Sequence, residues 1–164
     1  KATATAVQDG VDLQVLIAGE GQWGRPLIEK ESSRLGIADR VRLLGFRDDI
    51  PRILAASDIF VLPTPAEGLS IAIMEAMAAA LPVITTPVGG NPELVHEGVT
   101  GTMVPVGDVE ALAAALISLA RDAERRRAWG RAAQARVVLE FTVEKMVDRY
   151  AALYAKVLGG GQIL

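Results

Sequence analysis

The sequence predicts an α/β fold built on a doubly wound parallel sheet, and three observations carry that reading. Short apolar runs recur at residues 13–18 (LQVLIA), 41–44, 59–62, 83–85 and 102–104. The intervening segments carry helix-like spacing of apolar residues, and most of the runs stop at a glycine or proline. Nearly continuous apolar strands of this length, alternating with helices, indicate a parallel sheet covered on both faces.

Each element has a local reason. Residues 13–18 end at Gly19-Glu20-Gly21 and read as a strand buried on both faces. Residues 26–35 form a helix with Pro26 at its start and Gly36 at the C-cap position. The strand at 41–44 is closed by Gly45; Asp48, Asp49 and Pro51 open a short helix over 50–57; and 59–62 is the next buried strand, ended by Pro63. An Ala- and Met-rich helix covers 70–80, a strand 83–85, and Gly89-Gly90-Asn91-Pro92 a turn. After 102–104, Pro105 and Gly107 break the chain and Asp108 is placed to cap a helix over 109–121. Two more helices follow, within about 108–158 in all. The last, from Thr142, sets Val143, Met146, Val147, Tyr150, Leu153, Tyr154 and Val157 on one stripe, and Gly159-Gly160-Gly161 ends it. The tail of a helix precedes the first strand, at 1–8.

Composition narrows the chemistry. The 164 residues, 51% of them apolar, suit one domain with its own core. Seventeen basic against 20 acidic residues give a net charge of -3, so a nucleic-acid partner is not expected. With no cysteine and one histidine, zinc chemistry and a Cys nucleophile are excluded in practice, and cytoplasmic residence is expected. The longest apolar stretch, 69–84, is interrupted by Glu75 and Pro82, so no transmembrane segment is expected. The chain opens on Lys1 without a signal-peptide pattern and is expected to be a piece of a longer protein.

In a doubly wound sheet the ligand lies outside the carboxyl ends of the strands. That directs attention to Gly19-Glu20-Gly21, to Gly45-Phe46-Arg47, to 63–68 and to 87–90. Glu75 lies in a helix with almost no polar face, where an unpaired buried carboxylate costs several kcal/mol. Either it meets donors such as a ligand diol, or it looks out of a lightly covered helix into water. Glu67 precedes Gly68 and the free amides of a helix start, which bind anions; the commoner use of such an acid is to complement the helix dipole. Gly89-Gly90 allows close approach of a ligand and equally suits a tight turn. No dinucleotide fingerprint or P-loop is present, His96 reads as a surface residue, and Arg125-Arg126-Arg127 as a solvated face.

The ordered set Ile17-Ala18-Gly19-Glu20-Gly21, Leu44-Gly45-Phe46, Pro63-Thr64-Pro65-Ala66-Glu67-Gly68-Leu69-Ser70, Glu75-Ala76-Met77-Ala78, Pro82-Val83-Ile84 and Gly89-Gly90-Asn91-Pro92-Glu93 resembles the donor-binding, C-terminal domain of a GT-B retaining glycosyltransferase of family 4, also called group 1. Glu67 and Glu75 match that family's E-x7-E pattern, and the resemblance covers essentially the whole chain.

The resemblance implies a Rossmann-like domain that binds a nucleotide-diphosphate sugar and transfers the sugar with retention, without a metal or other cofactor. Glu75 would accept hydrogen bonds from the ribose hydroxyls, and Glu67, the catalytic candidate, would face the transferred sugar. Gly68, Leu69 and Ser70 would lie near the sugar and diphosphate, and Arg47 would border the base; Gly19, Gly89 and Gly90 complete the implied site. The partner would be the N-terminal acceptor-binding domain of the same enzyme, through which peripheral membrane association is open. This half alone would be inactive.

Leu69 stands where the family usually has an aromatic, Ala80 where it often has glycine, and its G-R-x-x-x-K-G segment is absent. By resemblance the chain begins inside the domain's first helix, so the first, central strand of the order 3-2-1-4-5-6 is lacking, and the strands at 13–18 and 59–62 are expected not to pair. A nucleotide-sugar epimerase of the same fold and a catalytically silent interaction domain are the alternatives. The order of motifs argues against the first, and intact Glu67 and Glu75 against the second.

Overall fold

The computed structural model describes residues 1–19 and 24–159. Glu20 and Gly21 of the first glycine loop, and Gly160 and Gly161 of the last, lie outside the described residues. The order is α1 (Ala2–Gln8), β1 (Val15–Ala18), α2 (Arg25–Arg34), a 3-10 turn (Ala38–Arg40), β2 (Val41–Gly45), α3 (Ile50–Ala55), β3 (Phe60–Leu62), α4 (Ile71–Ala78), β4 (Val83–Thr85), α5 (Asn91–Leu94), β5 (Gly101–Met103), α6 (Val109–Arg121), α7 (Ala123–Glu140) and α8 (Val143–Leu158). The expected alternation is present. One expected turn is a helix: α5 begins at Asn91 because Pro92 presets the helical φ in its first turn.

All pairings are parallel, and among the described residues they form two sheets, β1-β2 and β3-β4-β5. Val15 lies opposite Val41, Phe60 opposite Val83, and Val83 opposite Gly101. β1 and β3 do not pair, as the strand order 3-2-1-4-5-6 requires when its first strand is not between them.

β4 shows how double winding is encoded. Val83 packs on one face with Ile73, Met77, Leu94, Ala133 and Val137, from α4, α5 and α7. Ile84 packs on the other face with Ala2 of α1, Val104 just after β5, and Ala113, Leu116 and Leu119 of α6. Successive strand side chains point to opposite faces, so a strand covered on both must be apolar at consecutive positions. α1 meets α6 through Ala2, Ala4 and Ala6, all buried, and Arg121 Nη2 donates to the Asp9 carbonyl at 2.8 Å.

Helix ends follow their chemistry. Asp108, Asp122 and Thr142 accept from the amides of Ala111, Arg125 and Lys145. α4 stops in a Schellman turn, with Leu81 N donating to Ala76 O and Ala80 N to Met77 O, both at 3.0 Å. Ala80 holds the left-handed position at φ 58°, where glycine has no steric penalty.

Two expectations change. β1, expected to be buried on both faces, is half-open: Leu16 is 39% exposed and Ala18 is exposed. It pairs along one edge only, and a strand's burial is set by what covers it. The apolar stripe of α8 forms as expected, yet no residue of that helix is buried.

Candidate functional site at the carboxyl edge

Parallel pairing brings the loops after β1 and β2 to one edge, and likewise those after β3 and β4. In the first sheet Gly19 N donates to Gly45 O at 2.8 Å. In the second, Gly90 N donates to Gly68 O at 2.6 Å. The reason for glycine at 89 is the packing: a Cβ there would sit 1.9 Å from the Glu67 carbonyl oxygen. Gly89 and Gly90 therefore lie directly against the backbone of Glu67 and Gly68.

Ser70 is buried and caps α4, its Oγ accepting from Ile73 N at 3.4 Å. The Gly68 and Leu69 amides, just before the cap, donate to no protein acceptor among the described residues, while Gly68 and Leu69 are exposed. Glu67 is half-buried beside them. The loop start is stiffened by Thr64, whose Oγ1 donates to Ala66 O at 2.7 Å and accepts from Ala66 N.

Glu75 is exposed, so of its two readings the structure bears out the one in which it looks out of a lightly covered helix. The buried stripe is Ile73, Ala76 and Met77; Ile71, at 68% exposure, Ala72, Glu75 and Ala78 form an open face. Composition could not separate the two because both faces are apolar while only one is packed. Glu75 is the fifth residue of α4, so its Cα lies about 7.5 Å along the axis from Ser70, and Cα–Cβ bonds tilt toward the N-terminus. Its Cα–Cβ bond thus leans back toward the carboxyl edge from an apolar, uncovered face.

Arg47 makes a fork to Asp49, Nε at 2.8 Å and Nη2 at 2.7 Å. These hydrogen bonds hold the Asp49 carboxyl below its ordinary value and raise the arginine. Arg47 is therefore tethered to its own loop, while Phe46 beside it is 73% exposed. An aromatic directly after a strand-ending glycine was the available signal for Phe46. Arg126, read as part of a solvated face, instead donates to the Leu119 and Ala120 carbonyls at 2.6 Å and caps α6. Its neighbours Arg125 and Arg127 pair with Asp122 and Glu124, and His96 is exposed.

A buried polar cluster went unnoticed in the sequence. Asn91 Nδ2 donates to Thr85 Oγ1 at 3.0 Å and to Thr86 O at 3.1 Å. Thr85 Oγ1 donates to Leu62 O at 2.9 Å, and Thr86 Oγ1 to Thr64 O at 2.5 Å. Two hydroxyls ending an otherwise apolar buried strand were the signal for it.

Cavities of about 160 and 220 Å³ lie elsewhere, one lined by Arg25, Ser32 and Leu43, the other by Leu54, Ala80 and Arg126. At the carboxyl edge Gly19, Phe46, Gly68 and Leu69 are exposed. Among the described residues no three acidic or histidine side chains cluster as a metal site would need, and no helix is long and apolar enough to cross a membrane.

Helices on both faces of parallel strands, with glycine-bearing loops gathered at the carboxyl edge, define a Rossmann-like α/β domain. A family profile described as glycosyl transferases group 1 matches residues 1–122. The chain is 36% identical over 148 residues to the N-acetyl-alpha-D-glucosaminyl L-malate synthase of Bacillus anthracis, covering 90% of this chain and 39% of that protein. It is 33% identical over 143 residues to an Escherichia coli UDP-Gal:alpha-D-GlcNAc-diphosphoundecaprenol alpha-1,3-galactosyltransferase, covering 87% of this chain and 37% of that one. The crystal structure of Anabaena HepE in complex with UDP superposes with a TM-score of 0.85 at 28% identity, over 94% of this chain and 44% of HepE. The chain belongs to the group 1 glycosyltransferases, of GT-B architecture, and spans about two fifths of the length of these relatives.

Proposed function

We propose that this chain is the donor-binding half of a retaining, family 4 glycosyltransferase, which takes a sugar from a nucleoside diphosphate and passes it to an acceptor held by an N-terminal domain of the same enzyme. The observation that carries the reading is the start of α4: the amides of the exposed residues Gly68 and Leu69 meet no protein acceptor among the described residues, and they adjoin Glu67. Amides at a helix start suit the charge that builds on the departing diphosphate when the anomeric C–O bond breaks, because they are already oriented before the charge appears. In this reading no metal is needed for that task.

Glu75 takes the ribose diol, two acceptors matching two donors, and a bound nucleoside covers the open apolar face around it. Glu67 meets hydroxyls of the transferred sugar, Ser70 keeps the amides in place, and Arg47 with Phe46 borders the base. Gly19 lets the loop after β1 approach the donor, and Gly89 and Gly90 support the Glu67 backbone from behind. The half-enzyme alone is inactive, and cytoplasmic residence with contact to a membrane surface through the other half fits the reading.

Saturation-transfer NMR of the intact enzyme with UDP, GDP and their sugars tests it, together with two variants. Glu75→Gln is expected to weaken nucleotide binding by about 1–3 kcal/mol with the fold intact. Glu67→Gln is expected to lower turnover more than nucleotide affinity. Equal losses of affinity in both would contradict the assignment.

A further inference from the structure

We infer that Thr86, oriented by Asn91, is a positioning residue that sets the height of the Glu67–Gly68 backbone on the donor edge; the inference rests on the donor-binding reading above. The path is continuous. Asn91 Nδ2 holds the Thr86 carbonyl at 3.1 Å, Thr86 Oγ1 holds the Thr64 carbonyl at 2.5 Å, and Thr64 Oγ1 holds the Ala66 carbonyl at 2.7 Å, next to Glu67. A second strut closes the other end, Gly90 N to Gly68 O at 2.6 Å. Asn91 follows Gly90 directly, so one short segment fixes the loop at both of its ends.

Two features separate this cluster from ordinary core packing. Thr86 is 1% exposed and Asn91 fully buried, at positions where aliphatic residues of similar size would fill the space. And the cluster is not a stability optimum: Asn91 Oδ1 is buried with no hydrogen-bond partner among the described residues, a penalty for any buried acceptor. Turning the amide over offers no relief, because it would set Oδ1 against the Thr86 carbonyl oxygen. Polar groups kept in a core at a cost are expected where geometry, not stability, is required. Here they lock the loop that carries the proposed sugar-facing carboxylate, whereas Glu75 sits on α4, anchored separately through Ile73 and Met77.

The test compares Thr86→Val and Thr86→Ser in the intact enzyme. Thr86→Val keeps the shape and removes the hydroxyl. It is expected to lower kcat roughly tenfold, since small misplacements of a reacting group are costly, to leave KM for the donor within about twofold, and to speed amide exchange in peptides spanning 63–70 while those of β4 stay protected. Thr86→Ser, which restores the donor, is expected to recover kcat and slow exchange. Unchanged kcat and exchange in Thr86→Val would overturn the inference, as would a loss spread over kcat, KM and whole-protein exchange that serine fails to rescue. If the wild-type enzyme engages no nucleotide-sugar, the donor reading fails on its own, and the exchange comparison still decides whether Thr86 holds the loop.

Discussion

The two sheets of this molecule are built from strands of similar apolar character, and they differ in burial: β4 of the second is buried throughout, whereas no residue of β1 or β2 is buried. Val83, Ile84 and Thr85 of β4 are fully enclosed, while Leu16 of β1 and its neighbours stand half in water. β4 has a strand on each side and helices on each face; β1 has β2 alone along one edge. Burial belongs to the neighbourhood of a strand and not to its composition. The same contrast holds within α4, where an apolar face packs on β4 and another apolar face, bearing Glu75, stays open. What is uncovered gathers around β1, α8 and the exposed face of α4, and what is tightly fitted gathers around β4.

The glycines offer the sharpest way to break this comparison. At Gly130 of α7 a Cβ would lie 2.0 Å from the Ala80 carbonyl oxygen, so helix and turn meet backbone to backbone. Gly130→Ala is expected to cost about 3 kcal/mol, at the upper end for overpacking, because carbonyl and helix axis both resist displacement. At Gly36, after α2, a Cβ would meet nothing within 4 Å, and only the φ of +67° opposes a side chain. Gly36→Ala is therefore expected to cost about 1 kcal/mol. Urea midpoints at constant m-value measure both; equal losses would mean that the two regions are packed alike.

Ala80 runs the argument in reverse. It occupies the left-handed position of the α4 stop at φ 58°, so Ala80→Gly is expected to stabilise the protein by about 0.5–1 kcal/mol, read as a rise in Tm. No gain would mean that the residue's contacts offset its backbone strain.

Much of this was legible from residues 1–164 because local chemistry decides it. Asp108 and Thr142 cap where short polar side chains precede apolar periodicity, and the 83–85 strand stands bounded by Pro82 and Thr86. Glu67 and Gly68 could be placed in the loop before α4, and Ser70 at the start of that helix, for the same reason. Covering was not legible: an apolar helix face reads the same whether or not something lies on it, so the two readings of Glu75 could not be separated. Nor were interactions across distant segments, such as Thr86 with Thr64, since such hydrogen-bond partners are fixed only when the sheet assembles.

The smallest effect belongs to the open region. Glu31 is forked by Arg34 at 2.9 and 2.6 Å on the surface of α2, and the hydrogen bonds to that guanidinium lower its pKa to about 2. A depressed carboxylate contributes stability above its unfolded pKa, near 4.5, and loses it as pH falls through the folded value. Glu31→Gln is expected to leave stability at neutral pH little changed, given solvent screening, and to flatten slightly the decline between pH 4.5 and 2. A decline of unchanged steepness would show that this pair contributes nothing.

The central claim is that the start of α4 receives the diphosphate of a nucleotide-sugar. Titrating the 15N-labelled intact enzyme with UDP and GDP, and following backbone amides, tests it directly. The account predicts that one of the two shifts the Gly68 and Leu69 amides first and furthest, with Glu75 and Phe46 following. Saturable shifts confined to another surface, such as the cavity lined by Arg25, Ser32 and Leu43, with Gly68 and Leu69 unmoved, would contradict it.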